Sequence, residues 1–131
     1  MDILIESTIA FEHDLGELTS EVTAAVMESI NNCVRFPPSQ NPSQNHLASD
    51  RLQRLPLRSE LNGYESSLYV LKVLEKLSVI LTIDEDPIFD QFIVTLFRAV
   101  KQDKLNRAYQ SVAESLYQEL THTDREIVQA A

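Results

Sequence analysis

The side chains that could do chemistry in this chain of 131 residues are few. Glu119 and His122 have the Glu-x-x-His spacing that di-iron bundles use to present two ligands on one helix face. Such a centre needs a second pair and two further carboxylates, but Ala10, not an acid, stands three before His13. His13 with Glu17, and His122 with Glu126, are single i,i+4 pairs, which exposed helix faces carry without a metal. Asp84, Glu85, Asp86 and Asp90 have the charge density of a calcium loop. They lack its spacing, because Ile88 and Phe89 occupy the places where such a loop wants an oxygen ligand and a glycine.

Other chemistries have no anchor. No Gly-x-Ser-x-Gly elbow accompanies His13, His46 and His122. The chain has only two glycines, Gly16 and Gly63, a scarcity that favours helices over tight hairpins, and it has neither a phosphate loop nor a dinucleotide fingerprint. Cys33 is the single cysteine, so no intramolecular disulfide forms. It lies in an apolar-periodic stretch, which predicts a buried and inert thiol rather than a nucleophile. The expectation is a protein that is not an enzyme and uses no cofactor.

Charge is more informative. The net charge is −9, which opposes direct binding of nucleic acid. Residues 1–34 contain seven acids and no Lys or Arg. Within them Glu12, Glu17, Glu21 and Glu28 form a candidate docking surface for a basic partner. Arg51, Arg54 and Arg58 cluster, as do Arg98, Lys101, Lys104 and Arg107, and solvated faces account for both sets. The stretch from Leu68 to Ile83 is broken by Lys72, Glu75 and Lys76, short of the roughly 20 apolar residues a bilayer needs. Asp2 and Glu6 stand where a signal peptide would carry positive charge. The expectation is a cytoplasmic protein with no membrane partner.

These residues need elements to position them. Asp14 with Glu17 resembles a capping box, and Leu15, Leu18, Val22, Val26, Ile30 and Cys33 follow at helical spacing. Gly16 in the first turn moves the alternative start to Thr19 or Ser20, and Pro37 and Pro38 end the helix. Residues 3–11 read as helix, with a short strand over 2–6 as the alternative. Residues 36–49 read as a flexible linker, because Pro38-Ser39-Gln40-Asn41 is repeated as Pro42-Ser43-Gln44-Asn45. A short helix over 51–55 follows. Asn62 and Glu65 then cap a helix running from Gly63 to Leu81, with a strand over 77–83 as the competing reading. Asp86 and Pro87 suit the start of another helix, with Phe89, Phe92, Ile93, Leu96, Phe97 and Val100 on one face. The register breaks at 102–104, and a helix from Leu105 through Tyr109, Val112, Leu116 and Leu120 completes the chain, with Thr123 and Glu126 capping a last short helix.

The expected fold is all-α: an irregular bundle of four or five helices in a single domain over 1–131, with the linker at 36–49. A mostly α fold with a small two-stranded element from 2–6 and 79–83 is the alternative. The expected function is that of a non-enzymatic adaptor or regulatory protein, which binds a protein partner and forms a homodimer. Tyr69, Val73 and Ile80 would contribute, because the 64–81 helix and the 88–97 face carry more apolar surface than one small bundle buries. Two alternatives stand beside it. One is an acidic mimic of nucleic acid that inhibits a basic protein through Glu12, Glu17, Glu21 and Glu28. The other is a metal-binding helical protein using His13, Glu119 and His122.

Overall fold

The computed structural model describes residues 2–35, 52–57 and 67–130, with side chains at 2–34, 52–57 and 67–118. The elements in chain order are β1 (Asp2–Ser7), α1 (Ile9–Gly16), α2 (Ser20–Arg35), β2 (Leu52–Gln53), β3 (Leu68–Leu74), β4 (Leu77–Asp86), β5 (Gln91–Lys101) and α3 (Gln102–Ala130). The all-α expectation is therefore corrected. Five strands form one mixed sheet in the order β1-β5-β4-β3-β2. Strands do occur at 2–6 and 79–83, but they do not make a two-stranded element. β1 runs parallel to β5, and β4 separates β5 from β3.

The reason lies in how the sheet is buried. Helices cover both faces, so its strands lose the polar alternation that marks a one-sided sheet. In β4 the seven residues from Leu77 to Ile83 are all buried. Such a run looks like a helix that is apolar on most sides. On one face Leu71, Val73, Val79, Leu81, Val94 and Leu96 pack with Phe11 of α1 and with Val26, Ile30 and Cys33 of α2. On the other, Leu68, Val70, Ile80 and Val100 pack with Leu105, Ala108, Tyr109 and Ala113 of α3. The Tyr109 hydroxyl donates to the Leu68 carbonyl at 3.0 Å. Burial there pushes the phenol above its ordinary pKa.

Glycine scarcity does not exclude hairpins, because their turns use other residues. Leu74 pairs with Leu77 around Glu75 and Lys76. The turn from β4 to β5 gives its left-handed position, φ 51°, to Asp90, a residue type that tolerates it. Asp86 caps, as its type suggests, but closes this turn rather than a helix. Its carboxylate accepts from the Ile88 N–H at 3.1 Å, the Phe89 N–H at 3.4 Å and the Gln91 amide at 3.2 Å.

Around α1 and α2 the helical reading holds with shifted boundaries. Thr8 is the N-cap of α1, its hydroxyl accepting from Phe11 N–H at 3.1 Å. Thr19 does the same for α2, accepting from Val22 N–H at 3.2 Å. The register break at 102–104 marks the point where β5 hands over to α3. The 51–55 helix gives way to β2 where the chain is described. The 36–49 linker and the Asn62–Glu65 cap lie outside the described residues.

Asp14 sits in the last turn of α1, not at a helix start. Its carboxylate accepts from Arg98 Nε at 2.7 Å, Arg98 Nη2 at 3.2 Å and the Ala99 N–H at 3.0 Å. The hydrogen bond to Asp14 holds the Arg98 guanidinium above its ordinary pKa. This clasp joins α1 to β5 beside a bulge in which Phe97 is the extra residue. Asp14 is nearly buried, whereas Arg98 is 37% exposed. Asp14→Ala should therefore cost about 2 kcal/mol, because it also orphans the Ala99 N–H. Arg98→Ala should cost less, about 1 kcal/mol or under, since Asp14 keeps the Ala99 N–H and the pair it loses is partly screened by water. Urea denaturation of both single variants and the double variant checks the order, and equal costs would contradict it.

Candidate functional site

The parallel pairing that places β1 also leaves it on the outside of the sheet. Asp2 aligns with Gln91, Leu4 with Ile93, and Ser7 with Leu96. Every residue of β1 is exposed. Two backbone bonds at its ends fix which residues face inward. Asp2 N–H donates to the Asp90 carbonyl at 3.4 Å, and Thr8 N–H donates to the Leu96 carbonyl at 3.0 Å. In a parallel ladder alternate residues direct both backbone groups to the same neighbour. Even-numbered residues of β1 therefore bond to β5. Ile3, Ile5 and Ser7 direct their N–H and C=O groups outward, and among the described residues no strand pairs with that side.

The side chains there are apolar at the centre and acidic at the ends. Ile3, Leu4 and Ile5 are 36%, 43% and 37% exposed. Register carries Ile3 and Ile5 onto the α1–α2 face, beside Phe92 and Val94. Asp2, Leu4 and Glu6 lie on the opposite face, in rows that include Asp86, Asp84 and Thr82 of β4. The β4–β5 turn adjoins the Asp2 end and exposes Ile88 at 84% and Phe89 at 72%. At the other end, Ile9 is 86% exposed. Single exposed aliphatics are ordinary, but here they flank one open strand edge.

Among the described residues, two clefts lie away from this edge. One of about 220 Å³ is lined by Asp14, Glu17, Arg98, Lys101 and Lys104 among others, and the Asp14 clasp already engages its arginine. The second, about 620 Å³ and wide open, lies between Pro56, Leu57 and the first turns of α3. There Gln110 donates to the Pro56 carbonyl at 2.6 Å. Neither is lined by a His, Cys, Ser or Thr side chain. Among the described residues no three His, Cys, Asp or Glu side chains stand together as metal ligands. His13 lies 3.9 Å from Glu17, both well exposed. The side chains of Glu119 and His122, and all of His46, lie outside the described residues. Cys33 is buried, and desolvation pushes its thiol pKa up, which disfavours the thiolate. Among the described residues no helix is long and apolar enough to cross a membrane.

The residues singled out from the sequence scatter. Glu12, Glu17, Glu21 and Glu28 are all exposed on α1, its C-cap and α2. Tyr69 is half-buried, with the Arg54 guanidinium 4.7 Å from its ring centre. Val73 and Ile80 are core residues on opposite faces of the sheet, at 7% and 0% exposure. Their burial follows from the two helical layers. The surplus apolar surface suggested around Val73 and Ile80 is absorbed by a sheet covered on both sides, whereas Ile88 and Phe89 stay exposed. Sequence reasoning passed over Ile3 and Ile5 as a surface, and it took 88–97 as an apolar helix face where Ile88 and Phe89 belong to an exposed turn. The available signal was Asp2-Ile3-Leu4-Ile5-Glu6 itself, an aliphatic strand core bracketed by acids.

No family model matches the chain, and no curated protein matches it. Among solved structures, a chain of the toxin–antitoxin complex RelBE2 from Mycobacterium tuberculosis is similar at 16% sequence identity, with a TM-score of 0.43. The likeness covers 77% of this chain and 99% of that one.

The outward set is directly observable. Amide exchange followed by NMR on the free protein should be fast at Ile3, Ile5 and Ser7 and slower at Leu4, Glu6 and Thr8. Uniform protection along β1 would mean that another part of the chain already covers this edge.

Proposed function

We propose that this protein is a non-enzymatic binding module that accepts an extended segment of a partner protein as an added strand beside β1. The observation that carries the reading is the row of outward backbone groups at Ile3, Ile5 and Ser7 on a strand whose six residues are all exposed. Open edges are the templates on which strand addition works, with backbone bonds giving affinity and alternate side chains giving selectivity. Each new backbone bond contributes on the order of 1 kcal/mol net. Ile3, Leu4 and Ile5 add apolar area, and the Ile88–Phe89 turn supplies an anchor at one end. A regulatory or adaptor role fits such a surface, because the bound segment can be shared with or withheld from other partners.

Proline separates this reading from a generic sticky surface. At position 5 it removes an outward N–H while sparing the ladder to β5, a place where strands tolerate it. Ile5→Pro should keep the wild-type circular dichroism spectrum yet lose any stoichiometric partner that the wild type recovers from native extract. A partner retained equally by Ile5→Pro, or no partner recovered by the wild type, would contradict strand addition at β1.

A further inference from the structure

The charge around this edge identifies the kind of segment it takes. We infer that the strand added beside β1 is basic, with Lys or Arg opposite Asp2 and Glu6 and apolar side chains opposite Ile3 and Ile5. The inference rests on the strand-addition reading and adds its selectivity.

Three observations carry it. First, the chain around the edge holds acids without cations: neither residues 1–34 nor residues 77–97 contain a Lys or Arg. Second, register gathers the acids on one face. The row Asp2, Gln91, Asp86 and the row Leu4, Ile93, Asp84 stand side by side, with Glu6 in the next row. Arg98, the next cation along β5, is engaged by Asp14. Third, β1 alternates. Asp2 and Glu6 share one face with Leu4 between them, while Ile3 and Ile5 take the other. An incoming strand must match both faces at once, so it needs two cations four residues apart with apolar residues at the odd places between them.

The same pattern makes a second copy of this chain a poorer occupant. Antiparallel pairing of two β1 strands about Leu4 sets Asp2 opposite Glu6 twice, and like charges directly opposite are destabilising. A register about Ile5 avoids that clash, but it sets Glu6 opposite Leu4 and leaves Asp2 without a cross-strand partner. Acids at both ends of an exposed aliphatic strand are also a known device against edge-to-edge self-association.

Short synthetic peptides test the inference. One carries the core Lys-Ile-Thr-Val-Arg; a second keeps the apolar places and replaces both cations with Thr. Binding to the full chain is read by fluorescence anisotropy, for the wild type, for Ile5→Pro and for Asp2→Asn combined with Glu6→Gln. The basic peptide should bind the wild type about tenfold tighter than the neutral one, the sum of two cross-strand charge pairs. That advantage should vanish in the doubly neutralised variant and at about 1 M salt, where screening acts within about 3 Å. Ile5→Pro should bind neither peptide. Equal affinity for the two peptides overturns the charge inference and leaves strand addition standing. A basic advantage that survives in the doubly neutralised variant also overturns it, since the attraction then lies elsewhere. Failure of both peptides to bind, or undiminished binding to Ile5→Pro, overturns strand addition itself. A concentration-dependent dimer that competes with the basic peptide would install the second copy as occupant.

Discussion

Parallel pairing between the first strand and the last is the constraint on which the rest of this fold depends. A parallel pair cannot be closed by a tight turn, so the chain must leave β1, cross a face and return. It does so through α1, α2 and then the antiparallel run of β2 to β5. The return is held at one corner. The Thr8 N–H donates to Leu96 and its hydroxyl to the Phe97 carbonyl at 2.9 Å. Asp14 then ties the end of α1 to Arg98 and Ala99, after a bulge that inserts Phe97. Because β5 takes β4 on its other side, β1 ends outermost. The exposed edge is thus a product of topology, and the local residues only tune what can bind there.

That tuning is a compromise between two needs. An aliphatic edge gives affinity to a partner strand, and the same edge invites aggregation. Here Asp2 and Glu6 bracket the apolar centre, and Asp84, Glu85, Asp86 and Asp90 extend the acidic rim at one end. A charged rim of one sign repels a copy of itself and attracts its opposite, so one pattern serves both solubility and selectivity. The clasp works at a different point of the chain. It spends its acid internally, which is why Arg98 offers no counter-charge to the edge.

How legible all this was varies along the chain. The helix of α2 was readable from its periodicity, and Thr19 was among the starts the sequence offered. The break at 102–104 was readable too, since Asp103 and Arg107 fall where the preceding pattern wants apolar residues. The nature of the break was not, because the pattern before it belonged to a strand. β3 to β5 were misread for one physical reason. Helices on both faces make a strand continuously apolar, and a continuous run carries no period with which to tell two from three and a half. Asp86-Pro87 misled because the same carboxylate-to-N–H bonds close turns and begin helices. Scarce glycine misled because Asp90 takes the left-handed position and the Glu75–Lys76 turn needs none among the described residues. Of the candidate site, the acidity of the first segment was visible, but the edge was not. Whether an exposed strand lies at the edge of a sheet depends on pairings 89 residues away, such as Leu4 with Ile93.

The most direct measurement is the structure of the complex with a basic strand-forming peptide, by crystallography or by intermolecular NMR contacts. The expected result is a sixth strand whose backbone lies within hydrogen-bond reach of Ile3, Ile5 and Ser7, with its cations beside Asp2 and Glu6. A peptide seated instead on the acidic helix surface of Glu12, Glu17, Glu21 and Glu28, with the outer edge of β1 still open, would contradict it.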